Sequence, residues 1–174
     1  MRRVLIIGSG GAGKSTVATQ LGTKLGIPVI HLDAHYWHPG WIATPPSEWR
    51  LRVAELVARD VWVMDGNYGG TMVQRLAACD TVVFLDLPRV VCLWRLVRRA
   101  LRYAGRSRPD MTPGCPERLS WEFVWWVWTY PSRRRPQVLQ RLAALPTTTQ
   151  VVLLRSSREV DAFMSAVLPA PIAS

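Results

Sequence analysis

Cysteine is scarce. The chain has three, Cys79, Cys92 and Cys115, an odd number with no CxxC spacing. That excludes a disulfide framework and a zinc motif of standard spacing, and it points to a reduced, cytoplasmic setting. Lysine is scarcer still: Lys14 and Lys24 are the only two, so almost all of a formal net charge of +10 is arginine. Arginine suits bidentate recognition of phosphate. The excess therefore admits two kinds of partner, a phosphorylated small molecule or a nucleic acid. Long apolar runs are also missing. None could cross a bilayer, and no membrane partner is expected. The run after Met1-Arg2-Arg3 meets glycines too early for a signal peptide, so no targeting segment is expected. Internal repeats and linker-like stretches are absent. With 174 residues, 49% of them apolar, the chain has enough material for one well-formed core, and a single α/β domain over 1–174 is expected.

What is present is concentrated near the start. Val4 to Ile7 reads as a buried strand. It runs into Gly8-Ser9-Gly10-Gly11-Ala12-Gly13-Lys14-Ser15-Thr16, which matches G-x-x-x-x-G-K-[ST]. Gly8, Gly10, Gly11, Ala12 and Gly13 let backbone N–H groups converge on phosphate. Lys14 brings a point charge, Ser15 a hydroxyl suited to Mg²⁺, and Thr16 opens a helix whose dipole favours an anion. The helical spacing of Val17, Leu21 and Leu25 supplies the context that a bare glycine-rich loop lacks.

Acidic residues recur at the ends of the strands that follow. A second strand, Val29 to Leu32, leads to Asp33, which can orient an acceptor hydroxyl or hold Mg²⁺ beside a phosphate loop. Ala34 to Trp41 is an aromatic, proline-bounded loop, and Trp37 and Trp41 are candidates to line an acceptor pocket. His31, His35, His38 and Asp33 fit no standard zinc spacing, and single imidazole hydrogen bonds are expected of them. A helix is expected from about Thr44, with Ser47 as cap and Trp49, Val53, Leu56 and Val57 on its core face. A third strand, Val61 to Met64, delivers Asp65-Gly66-Asn67-Tyr68. Asp65 is placed to act on Mg²⁺, and Asn67 and Tyr68 to meet an acceptor.

The fourth strand, Thr81 to Leu85, ends at Asp86, and a long helix after Pro88 brings Arg95 and Arg99 onto one face. Tyr103 to Leu119 reads as a loop or flap within an arginine-rich insertion over about 103–135. Trp121, Trp125 and Trp128 share one helical stripe, expected to pack on the core or cover a site. Phe123 and Trp126 lie on the other face, where a dimer contact would fit. Arg133, Arg134 and Arg135 follow. The chain closes with a fifth strand (Val151 to Leu154), the Arg155-Ser156-Ser157 loop, a helix over Glu159 to Leu168, and a Pro/Ala end expected to fray.

With these motifs placed, the chain resembles the bacterial topology modulation proteins (FlaR-related), relatives of adenylate kinase among small P-loop kinases. The residues that carry the resemblance are the P-loop, His31-Leu32-Asp33-Ala34, Trp37, Pro39-Gly40-Trp41, Asp65-Gly66-Asn67-Tyr68 and Arg106 to Arg118. The looser likeness to adenylate kinase implies a three-layer P-loop fold: a five-stranded parallel sheet in order 2-3-1-4-5, helices on both faces and an arginine-rich helical lid. It also implies that Arg95 and Arg99 clamp transferring phosphates, that Arg133 to Arg135 supply lid arginines, and that Arg155 lies where a nucleotide base passes. Asn67-Tyr68 stands where those kinases have Phe-Pro-Arg, a departure at the nucleoside-monophosphate site.

The expectation is an ATP- and Mg²⁺-dependent phosphotransferase acting on a small acceptor, as a monomer or homodimer. Lys14, Asp33, Arg95 and Arg99 would serve the chemistry and Ser15 and Asp65 the metal. The competing reading is a nucleic-acid-associated ATPase affecting DNA topology. It draws on the charge excess but finds no helix-turn-helix, OB or zinc module.

Overall fold

The fold is given by a computed structural model that describes residues 1–168. The Pro/Ala end lies outside them.

Five strands form one parallel sheet: β1 (Arg3–Gly8), β2 (Val29–His31), β5 (Trp62–Asp65), β6 (Thr81–Leu85) and β7 (Gln150–Leu154). Their order is β2-β5-β1-β6-β7. Numbered within the sheet alone, that is 2-3-1-4-5. The register places Ile6 beside Asp65 and Gly8 beside Leu85, so the P-loop leaves the sheet between two acidic strand ends. The inner strands are apolar almost throughout, as a parallel sheet covered on both faces requires. Alternate residues face opposite ways. Leu5, Ile7, Met64, Val82 and Phe84 join one core with Trp49, Val53 and Leu56 of α3 (Pro46–Val57), Met72 and Leu76 of α4 (Met72–Ala78), and Leu142 of α7 (Arg135–Ala143). Val4, Ile6, Val63, Val83 and Leu85 join the other, with Val17, Ala18 and Leu21 of α1 (Lys14–Leu25) and Cys92 and Leu96 of α5 (Arg89–Arg102). α8 (Ser157–Ala166) leans on that second face through Val160 and Phe163.

Three local expectations change. Asp33 does not sit in a loop. β2 passes directly into a short helix, α2 (Leu32–Tyr36), with Asp33 in its first turn, and the aromatic stretch continues as a two-strand hairpin, β3 (Trp37–His38) and β4 (Ile42–Ala43). Ser47 does not cap α3: that helix starts at Pro46, whose fixed φ suits a first turn, with Pro45 at the cap. The third change is the tryptophan stripe of α6 (Trp121–Arg133). Phe123, Trp126, Val127 and Tyr130 pack inward, whereas Trp121, Trp125 and Trp128 face solvent. The inward side chains supply enough apolar area to seat the helix, so the stripe is left over.

The segment 103–120 is not helical, and it is pinned to the hairpin. Thr112 Oγ1 donates to the Ala34 and Trp37 carbonyls (3.0 and 2.6 Å), Cys115 Sγ donates to His38 O, and Gly40 N–H donates to Gly114 O. Met111 and Cys115 are buried beneath it.

Candidate functional site

The site lies at the carboxyl ends of β1, β2 and β5. α1 begins at Lys14, directly after Gly13 in the left-handed region, and no side chain caps it. Its first-turn N–H groups and the loop amides therefore face the same space. Gly10 is required by packing: a Cβ there would meet Phe123 Cζ at 2.6 Å and Val127 Cγ2 at 2.9 Å. α6 thus lies directly over the P-loop. Gly11 combines a positive φ with the Cys92 carbonyl pressed against it.

Lys14 Nζ donates to the carbonyls of Gly8 (3.2 Å) and Ser9 (3.0 Å). Burial holds its pKa below the ordinary lysine value, against the pull of Asp65 and Asp33. Ser15 Oγ donates to Asp65 Oδ2 at 2.7 Å, and the other carboxylate oxygen of Asp65 holds His31 Nδ1 at 2.7 Å. Burial disfavours the imidazolium, but the hydrogen bond and charge of Asp65 outweigh it, so the His31 pKa is raised. His38 bonds Thr44, so His31 and His38 go to separate partners.

Asn67 takes a different job from the one expected. Its amide makes a two-point bond to Gly8, Nδ2 to the carbonyl at 2.7 Å and Gly8 N–H to Oδ1 at 3.2 Å. It thereby fixes the first glycine of the loop. Tyr68, at φ 22°, donates its hydroxyl to Asp33 Oδ1 at 2.6 Å. Burial, then the Asp33 charge, raises its pKa far above the ordinary phenol value, so it stays a neutral donor. Tyr36, Trp37, Trp41, Trp49 and Tyr68 form a wall of edge-to-face and tilted aromatic rings beside Asp33. Trp41 is tied to the flap through its indole N–H on Pro116 O and Arg118 over its ring.

The arginines divide. Arg95 donates to Ala12 O (3.1 Å) and Ser157 Oγ (3.0 Å), bridging the P-loop and the start of α8. Arg99 donates to Glu117 Oε1 at 2.9 Å. Burial, with Arg108 nearby, lowers its pKa. Arg133 and Arg134 are exposed and enter none of the site's bonds among the described residues, while Arg135 forks onto Asp86 at 2.7 and 2.8 Å. Arg155 joins Ser9, Asp86, Tyr130 and Arg135 around a cleft of about 260 Å³. Thr16 is exposed on the first turn of α1.

Several site residues escaped the sequence reading. Glu117, almost wholly buried, holds Arg99 with one oxygen and Arg108 Nε with the other (2.7 Å). Arg108 also reaches Asp110 at 3.0 Å and comes within 4.0 Å of Asp33. A chain of charges thus runs from α5 through the flap to Asp33. Arg75 is fully buried and donates to the carbonyls of Gly66, Asn67 and Tyr68, setting that turn. The clue available in sequence was an acid inside an arginine-rich run and a lone arginine in an apolar helix.

The donor set fits a nucleotide and its metal. Ser15 and Asp65 offer oxygen ligands, which a hard cation such as Mg²⁺ takes, beside Lys14 and a ring of backbone N–H groups.

No protein-family model and no curated protein sequence matches the chain. Among solved structures it is similar to a shikimate kinase from Acinetobacter baumannii in complex with shikimate, at 18% identity and TM-score 0.56, over 95% of this chain and 89% of that one. It is similar to a candidate kinase from Chloroflexus aurantiacus at 16% identity and TM-score 0.51, over 95% and 96%. A sugar kinase from a Janibacter species matches at 16% identity and TM-score 0.50, over 95% and 93%. At such identities the likeness is one of fold, the α/β architecture that these kinases share.

Proposed function

We propose that this chain is a P-loop phosphotransferase that uses ATP with Mg²⁺ and passes the γ-phosphoryl group to a small acceptor, with kinship to the topology modulation proteins. One observation carries the reading: Ser15 Oγ sits 2.7 Å from Asp65 Oδ2, next to Lys14, at the carboxyl edge of the sheet. Bound there, ATP supplies the transferable phosphoryl group and Mg²⁺ neutralises its charge.

The chain's own residues do the rest. The P-loop amides and the start of α1 hold phosphate, and Asn67 keeps Gly8 in place for that task. Lys14, Arg95 and Arg99 surround the transferring group with positive charge. Asp33, aimed by the Tyr68 hydroxyl, orients an acceptor hydroxyl and takes its proton. An acceptor alcohol suits this carboxylate, which would repel an acceptor phosphate. The aromatic wall and the pinned flap keep water from the site, since hydrolysis is the competing reaction.

The nucleic-acid reading is less well supported by the same geometry. Arg108 is spent on Glu117 and Asp110, and Arg135 on Asp86, so these arginines are not free for backbone phosphate.

The test is transfer from labelled ATP to a panel of sugars, polyols, nucleosides and aminoglycosides. The expected result is acceptor-stimulated turnover and a labelled product, with Asp33→Asn lowering transfer more than ATP binding. Hydrolysis stimulated by DNA, with no phosphorylated product from any acceptor, would overturn the reading.

A further inference from the structure

Two helices carry more apolar surface than the protein itself covers. α5 turns Cys92 and Leu96 into the core and directs Arg95 and Arg99 to the P-loop and flap. A third side remains, with Val90, Trp94, Val97 and Leu101 all exposed, Leu101 at 77%. α6 faces outward with Trp121 (77% exposed), Trp125 and Trp128. Both stripes step by four and three residues in turn, as the alternating core positions of a knobs-into-holes seam do. α5 and α6 pack on each other, and the Arg89 guanidinium, 4.0 Å over the Trp128 ring, joins the two stripes.

The surface is large. The four tryptophans alone leave on the order of 500 Å² uncovered, taking about 150–250 Å² per aromatic side chain. With Val90, Val97 and Leu101 it approaches the roughly 800 Å² that each partner contributes to a standard interface, and it exceeds what monomers ordinarily expose.

We propose that α5 and α6 form a homodimer interface, packing two-fold against the same helices of a second copy as a four-helix layer. Three features favour a second copy over a lipid or nucleic-acid surface. The stripes are narrow and keep helical register, which a facing helix reads and a fluid surface does not. Their arginines lie against rings, Arg89 on Trp128 and Arg98 on Trp94 (5.3 Å), so they extend aromatic surface and do not project as free cations. Glu122, the one acid on α6, forms no ion pair among the described residues and would complement Arg102 of a copy packed two-fold. Since α5 also bears Arg95 and Arg99, dimer formation would fix the helix that presents them. The dimer does not depend on the phosphotransferase reading.

Sedimentation equilibrium of the full chain tests this, using wild type, Trp125→Glu, Leu101→Glu and the control Val73→Glu, an exposed apolar position on α4. Wild type and Val73→Glu are expected to be dimers at micromolar concentration. Each seam variant should dissociate at least tenfold more readily with an unchanged circular dichroism spectrum, because each site is solvent-exposed within one copy. The dimer should tighten as salt rises, since two copies of charge +10 repel. Tryptophan emission should shift to the blue as concentration increases. The proposal is overturned by a monomeric wild type at tens of micromolar, or by seam variants that associate like wild type. It is equally overturned by a monomer that binds anionic vesicles or DNA through Trp125 and loses that binding with salt.

Discussion

Asp65 serves two donors at once, the Ser15 hydroxyl and the His31 ring. Replacing Lys14 by Ala removes a charge whose bonds go only to loop carbonyls, so turnover should vanish while the melting temperature stays within a few degrees. Asn67→Ala takes away both bonds to Gly8. At ~1 kcal/mol for each, stability should fall by about 1–2 kcal/mol, and ATP affinity by calorimetry should fall with it. An unchanged affinity would show that the loop holds its shape unaided. Glu117→Gln leaves Arg99 and Arg108 sharing a neutral partner in a nearly buried place. A loss of about 3 kcal/mol is expected, as for other broken buried pairs, and is read by denaturant unfolding. Of these partners, the sequence brought together only Ser15 and Asp65, through the metal both were expected to serve. Asn67 looked like an acceptor ligand because it follows Asp65-Gly66, and only the turn set by Arg75 points it back at Gly8.

At the scale of elements, the contact of α6 with the P-loop is the one least visible in the chain. Gly10 has room for no Cβ because Phe123 and Val127 occupy that space. Gly10→Ala should therefore be destabilised, by about 1–3 kcal/mol as overpacked sites are, and Phe123→Ala should recover part of the loss in the double variant. Purely additive effects would argue against the contact. Arg75 ties α4 to the turn after β5 with a fork that lysine lacks. Its pKa is lowered to about 10 by burial. Arg75→Lys should lower stability and raise KM for the acceptor through drift of Tyr68. The direction in which α6 faces was misjudged for a physical reason. Periodicity shows that a helix has two apolar sides, and only the sheet surface beneath it selects which is covered.

At the scale of the molecule, pH acts through His31. Its pKa is raised on folding because Asp65 holds the charged ring more strongly than burial disfavours it. A raised pKa means that the folded state binds the proton more tightly. The contribution is complete below the unfolded value of about 6.5 and is lost as pH climbs through the folded value above it. The melting-temperature difference between wild type and His31→Gln should therefore be widest below pH 6 and shrink from pH 6.5 upward. A constant difference would take the Asp65 pair out of the stability balance. The +10 charge is also a property of the whole: association with DNA should appear at low salt, fade steeply as salt rises, and leave acceptor phosphorylation untouched.

Back at the P-loop, the sequence by itself determined the phosphate-binding loop, the apolar strands and the acids at their ends, and the order of the parallel sheet came from the resemblance. Those signals are local: a glycine pattern, apolar runs and one residue type after each run. Tertiary structure decided the pairings. It put Ser15 on Asp65, Tyr68 on Asp33, Asn67 on Gly8 and Glu117 between two arginines, joining residues 9 to 59 positions apart. It also turned three tryptophans outward. Such choices depend on which surfaces remain uncovered after the sheet and its helices have packed, and that is fixed by the geometry of the folded chain and not by any short stretch of it.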